Sequence, residues 1–284
     1  MNTNETKTAV ITGGNSGIGK AIALELAFKG YRIIIHGKDA EKTKTAAMEI
    51  SKISGNARID YIAIDISTVL GMKNLASAIK SKTSSIDALV LSTGVILSKH
   101  ILTQDGLEKG FAIQYLSRFA TVQFLMDELM KGNAKIVLVG ASKLWNAKVY
   151  LDDIALSKNF TMFRAMAQEM YCNHLFVQEF AKRYPNGPLL INMGNVGVSP
   201  TGITRNMSFI LRWMVKLIGR SAEKVAKNFA YLASDPQVDF TGYFLNNPAN
   251  KKSKTKIGYD DQTASQLWEK SMFLISAEKQ SIHK

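Results

Sequence analysis

The run Thr12-Gly13-Gly14-Asn15-Ser16-Gly17-Ile18-Gly19 directly follows an apolar β-prone stretch at 8–12 and opens a helical pattern. No other feature constrains the chain as strongly. Glycines at 13, 17 and 19 between a strand and a helix allow a tight turn and a close approach of backbone to a pyrophosphate. The helix N-terminus offers unpaired N–H groups to the same anion. A glycine-rich run without that context would be a weak signal; strand, turn and helix together point to a dinucleotide site.

The rest of the chain repeats the rhythm. Short apolar runs without alternation, at 32–36, 61–64, 88–92, 135–139 and 189–193, read as parallel strands buried on both faces. Helical patterns lie between them near 17–29, 40–53, 71–82, 104–131 and 159–184. Such alternation predicts an α/β fold, a doubly wound Rossmann arrangement on a parallel sheet. With no internal repeat and no Pro/Gly/Ser-rich linker, residues 1–284 are expected to form a single domain, with 200–284 as a lid and C-terminal extension.

Composition narrows the function classes. The 284 residues carry 36 Lys+Arg against 23 Asp+Glu, a net charge of +13, and 46% of them are apolar, too many for a disordered chain. One cysteine, Cys172, and four histidines without paired spacing argue against a metal centre. No window approaches a membrane span and no leader precedes residue 8, so the expected location is the cytoplasm. Residues 205–220 read as an amphipathic helix. Its second face sets Phe209 and Trp213 among Arg205, Arg212, Lys216 and Arg220, and suits peripheral contact with an anionic membrane or the entry path of a lipophilic substrate. Nucleic acid is not expected, since no binding module accompanies the charge.

The chain resembles the short-chain dehydrogenase/reductase superfamily, most closely its retinol-dehydrogenase-like branch. The likeness rests on TGGNSGIGK at 12–20, Asp65, Gly94, Gly106-Leu107-Glu108 with Phe111, Asp152-Asp153, Glu179-Phe180-Ala181-Lys182-Arg183, Gly197 and Thr201, Gly242-Tyr243-Phe244 and Leu267-Trp268-Glu269. It implies that Thr12, Gly13, Asn15, Ser16, Gly17, Ile18 and Gly19 hold a pyrophosphate, that Asp65 meets the adenine, and that Gly94 passes under the ribose. Thr201 joins them as a cofactor residue. Lys38 stands where the family's NAD-binding members carry an acidic residue. A cation there can pair with a 2′-phosphate, so the expected cofactor is NADP(H), retained in a working or a structural role. The likeness also implies a homodimer through the helices at 104–131 and 159–184.

The family's chemistry is where the likeness breaks. It needs Asn, Ser, Tyr and Lys, with Tyr as the acid and Lys four residues on, so that both project from one helical face. No Tyr is followed four residues later by Lys in this chain. Registered on the flanking matches, the four positions hold Gln114, Ala141, Met166 and Met170. A thioether has no proton to give. Ser142 and Asn195 are the expected polar contacts to substrate, while Glu169 and Tyr171 are placed off the 166/170 face and His174 is read as a packed helix histidine. The reading is an atypical enzyme acting on a lipophilic small molecule, by tyrosine-independent hydride transfer or by redox-neutral cyclisation or isomerisation. The alternatives are a non-catalytic NADP(H) sensor or scaffold, and a conventional alcohol or ketone oxidoreductase.

Overall fold

The computed structural model describes residues 6–144, 146–197, 222–246 and 253–277. Eight strands form one sheet in the order β3-β2-β1-β4-β5-β6-β7-β8. Six of them stand close to where the apolar runs place them: β1 (Thr8–Thr12), β2 (Arg32–Gly37), β3 (Ile59–Ala63), β4 (Ala88–Leu91), β5 (Lys135–Gly140) and β6 (Leu190–Asn195). All are parallel, as is β7 (Tyr243–Leu245) against β6. Strand β8 (Lys254–Lys256) runs antiparallel to β7. At three residues each, β7 and β8 are too short to carry a periodicity.

Helices cover both faces of the sheet. Side chains alternate along a strand, so Ala9 and Ile11 pack on one side and Val10 on the other. Against the first side lie α1 (Gly17–Phe28), α2 (Ala40–Ser54) and the later helix 222–234. Against the second lie α3 (Val69–Lys80), the segments between 109 and 132, the long helix 162–183 and the final helix 261–276. Phe119 anchors this second layer, with ring centroids 5.3 Å from Phe176 and 5.0 Å from Trp268. Burying an aromatic side chain of this kind contributes about 2–3 kcal/mol.

The pattern at 104–131 does not form one helix. Residues 101–108 make a turn closed by a bridge between Leu102 and Glu108, and helix α4 (Lys109–Phe111) begins only there. The Glu108 carboxyl accepts the N–H groups of Gly110 and Phe111, which starts the helix five residues late. A π turn at Ala112–Leu116 follows, then α5 (Ser117–Phe124), a break at Leu125 and α6 (Met126–Gly132). Next come α7 (Met162–Arg183), capped by the Thr161 hydroxyl that accepts the Arg164 N–H, α8 (Ala222–Ser234) and α9 (Asp261–Ser276). The helix expected at 205–220 and Thr201 lie outside the described residues.

Candidate active site

A cavity of about 630 Å³ runs across the carboxyl ends of β1 to β6, over the point where strand order reverses between β1 and β4. In an open parallel sheet this crevice is where ligands bind. The glycine loop forms its centre. Gly13 and Gly17 have φ of +69° and +55°, a left-handed backbone that disfavours other residues. Gly19 faces the Gly13 carbonyl and the Ser92 hydroxyl so closely that a methyl group there would overlap both. Ser16 caps α1 without a side-chain bond, which leaves the first-turn N–H groups for an anion. Gly13, Asn15, Ser16, Gly17, Ile18 and Gly19 all line the cavity. Thr12 does not: it is 2% exposed, and its carbonyl accepts the Ser92 hydroxyl at 2.7 Å.

At one end of the cavity stand His36, Lys38, Lys42 and Asp65. The Lys38 ammonium lies 2.7 Å from the Asp65 carboxylate, which joins two residues that the sequence assigns separate tasks. Partial burial alone would raise the Asp65 pKa, but the bonds from Lys38 and Ser67 outweigh it and hold the carboxyl below its ordinary value. Lys42 is a second cation that the sequence reading missed. It sits in the first turn of α2, and the Asp39 cap that accepts its N–H folds this turn back over the cavity. Burial lowers the pKa of His36, and its Nε2 lies 2.9 Å from the Ile64 carbonyl. The neutral ring therefore donates from Nε2.

The four positions that the likeness registers as catalytic stand at the other end of the cavity. Gln114, Ala141, Met166 and Met170 all line it, together with Gly94, Val139, Met193 and Val196. Ser142 and Asn195 do not. Ser142 opens onto a neighbouring depression with Lys143, His174 and Tyr259. Asn195 turns to Asn246 at 2.7 Å and to Ser142 at 3.4 Å. His174 is fully buried on the same side, 3.0 Å from the Ala141 carbonyl, and burial lowers its pKa.

Glu169 requires a correction. The helical-wheel reading sets it off the functional face, yet it lines the cavity with Met166, Met170 and Asn173. These positions are i, i+3, i+4 and i+7, one stripe of α7. The Gln114 amide donates to its Oε2, and its Oε1 packs over Gly110 beside Glu108. Burial first, then the charge and hydrogen bond of Glu108, lift its pKa from 4.5 to about 9, against the pull of Arg118 and Gln114. Arg118 completes this floor. It is 5% exposed and donates to the Thr93 carbonyl at 2.8 Å and to Asn173 Oδ1 at 3.2 Å. Burial lowers its pKa to about 10, so it stays charged at neutral pH.

The raised pKa makes a stability prediction. The folded state keeps a proton on Glu169 that the unfolded chain releases, so this contribution is full below 4.5 and is lost as pH rises toward about 9. Denaturation midpoints measured across that window should fall with pH in the wild type, and Glu169→Gln should flatten this slope. An equal slope in both would exclude Glu169 as its source.

Comparison with known proteins fits this geometry. The short chain dehydrogenase family model matches residues 7–149. The chain belongs to the short-chain dehydrogenase family. Human retinol dehydrogenase 13 is 27% identical over 288 residues, covering 97% of this chain and 86% of the relative. Human polyprenol dehydrogenase is 25% identical over 277 residues, covering 93% and 84%. Among solved structures, a protein from Mycobacterium Paratuberculosis superposes with a TM-score of 0.73 at 23% identity, covering 96% of this chain and 94% of that one. The Pseudomonas aeruginosa RhlG/NADP complex superposes at 0.67 and 20% identity, covering 84% and 93%. Both share the short-chain dehydrogenase fold. Among the described residues no helix is long and apolar enough to cross a membrane, and no group of three His, Cys, Asp or Glu side chains could hold a metal ion.

Proposed function

We propose that this chain binds NADP(H) in the sheet-edge cavity and uses it to interconvert a lipophilic carbonyl compound and its alcohol without a tyrosine acid. The observation that carries the reading is one continuous cavity, from the glycine loop and its two lysines to an apolar wall of Met166, Met170 and Met193. The loop is shaped for a pyrophosphate, and Lys38 and Lys42 offer positive charge where a 2′-phosphate would lie. Bound there, the reduced nicotinamide supplies the hydride. The methionine wall is apolar and adaptable, which suits the lipophilic class that the names of the retinol and polyprenol dehydrogenases describe.

The lysines give the first test. Fluorescence titration should show NADPH binding more tightly than NADH. Lys38→Ala with Lys42→Ala should weaken NADPH by at least about tenfold, a lost charge-assisted contact, and leave NADH unchanged. Tight NADH beside weak NADPH would overturn the cofactor assignment.

A second reading, a cofactor-binding scaffold without turnover, draws on one observation: Ala141, Met166 and Met170 line the cavity and carry no side-chain proton to give. The two readings separate on incubation with NADPH and a panel of hydrophobic aldehydes that includes all-trans-retinal. Loss of the reduced-nicotinamide absorbance supports the enzyme. Binding of NADPH with no oxidation of it supports the scaffold.

A further inference from the structure

We propose that Glu169 is the proton donor of this site, giving a substrate oxygen the proton that the family's tyrosine would have given. The inference rests on the carbonyl-reductase reading above and deepens it. Glu169 stands on α7 between Met166 and Met170, the two methionines that the likeness registers on the Tyr and Lys positions, and it lines the same cavity while being 5% exposed. Its surroundings keep a proton on it. Across from its carboxyl lies Glu108, whose two oxygens already accept the N–H groups of Gly110 at 2.9 Å and Phe111 at 2.7 Å. Two carboxyls in contact do not both ionise, and the one with its oxygens engaged by N–H donors is the better anion. The shared proton therefore belongs to Glu169. Gly110 makes this contact achievable, since a side chain there would collide with Glu169 Oε1.

The other groups facing the Glu169 carboxyl are Gln114 from the π turn, Arg118 from α5 and Cys172 on α7, while the Asn173 amide donates to the Glu169 backbone carbonyl. Arg118 is the only cation among those named. Its two terminal nitrogens are satisfied by Asn173 and Thr93. A buried guanidinium beside this carboxyl is suited to hold the negative charge that Glu169 takes up when its proton leaves.

The step balances. The carbonyl carbon of the substrate receives hydride from NADPH, and the π pair of the C=O bond moves to oxygen. That oxygen takes the proton from Glu169. The O–H bond of the carboxyl breaks, its electron pair stays on Glu169, and the new carboxylate is held next to Arg118 until a solvent proton restores the acid. Alcohol oxidation runs the same path in reverse.

Glu169→Gln is the variant of choice, because the amide can donate to Glu108 and accept from Gln114 as the protonated acid does, but has no acidic proton. The first measurement needs no substrate. Infrared difference spectra of the full, ligand-free chain, wild type minus variant, should show one protonated carboxyl at neutral pH that disappears around pH 9. No such band at neutral pH overturns the proposal. The second follows NADPH-dependent reduction of all-trans-retinal and of a saturated long-chain aldehyde. Glu169→Gln should lower kcat at least about 100-fold, as loss of a general acid does, with NADPH affinity within about twofold of wild type. An unchanged kcat overturns the donor role and leaves the reductase reading standing. A wild type that binds NADPH but reduces neither aldehyde overturns that reading and the donor role with it.

Discussion

Gly19→Ala is expected to abolish measurable NADPH binding and to cost about 2–4 kcal/mol of folding stability. The added methyl would overlap the Gly13 carbonyl oxygen, which is backbone, and the Ser92 hydroxyl, which is tied to the Thr12 carbonyl at 2.7 Å. Neither can swing aside as a long side chain can. Either α1 lifts from β4 or the turn at Gly13 opens, and both displace the N–H groups that would meet the pyrophosphate. The control is Gly30→Ala, at a helix end where φ is +82° but a Cβ would meet nothing within 4 Å. That variant pays only for its left-handed backbone, about 1 kcal/mol, and should keep its NADPH affinity. Thermal melts and fluorescence titrations of the two variants measure both effects. Wild-type affinity in Gly19→Ala would show that the loop does not carry the cofactor.

Arg118→Met carries the second large effect. Methionine keeps most of the volume but removes the donors to the Thr93 carbonyl and to Asn173 Oδ1, leaving two acceptors at the cavity floor unpaired. About 2–4 kcal/mol of stability should be lost. The variant also removes the cation that draws the Glu169 pKa down, so that titration should move above its wild-type position near 9. Chemical denaturation gives the first quantity and carboxyl infrared titration the second. If the Glu169 titration stayed in place, the two groups would not be coupled as the geometry requires.

What the sequence discloses is local. The glycine loop, six strands and the helices between them follow from consecutive residues whose burial depends on a period of two or 3.6. Gln114, Ala141, Met166 and Met170, reached by counting from flanking matches, all line the cavity. Glu169 was passed over for a different reason. A face centred on 166 and 170 also includes the i+3 position, and whether that position meets solvent, core or cavity is decided by Glu108 and Arg118 from other elements. Lys42 was missed because only the turn at Lys38-Asp39 returns it to the site. The π turn left no trace, since Phe111, Tyr115 and Phe119 keep an unbroken apolar spacing through it.

That π turn bears on how such a floor can change over generations. A π turn holds one residue more than the α turn it interrupts, so it behaves as an insertion absorbed within a helix. Taking one residue out of 112–116 would let the ladder close as ordinary α-helix, rotating everything before it by about 100° relative to α5. Glu108 and Gly110 would leave Glu169, while Arg118, beyond the turn, would stay. The paired carboxyls are thus tied to the phase of a helix as well as to the residues that compose them, and a single-codon deletion separates them where no substitution at either glutamate is needed.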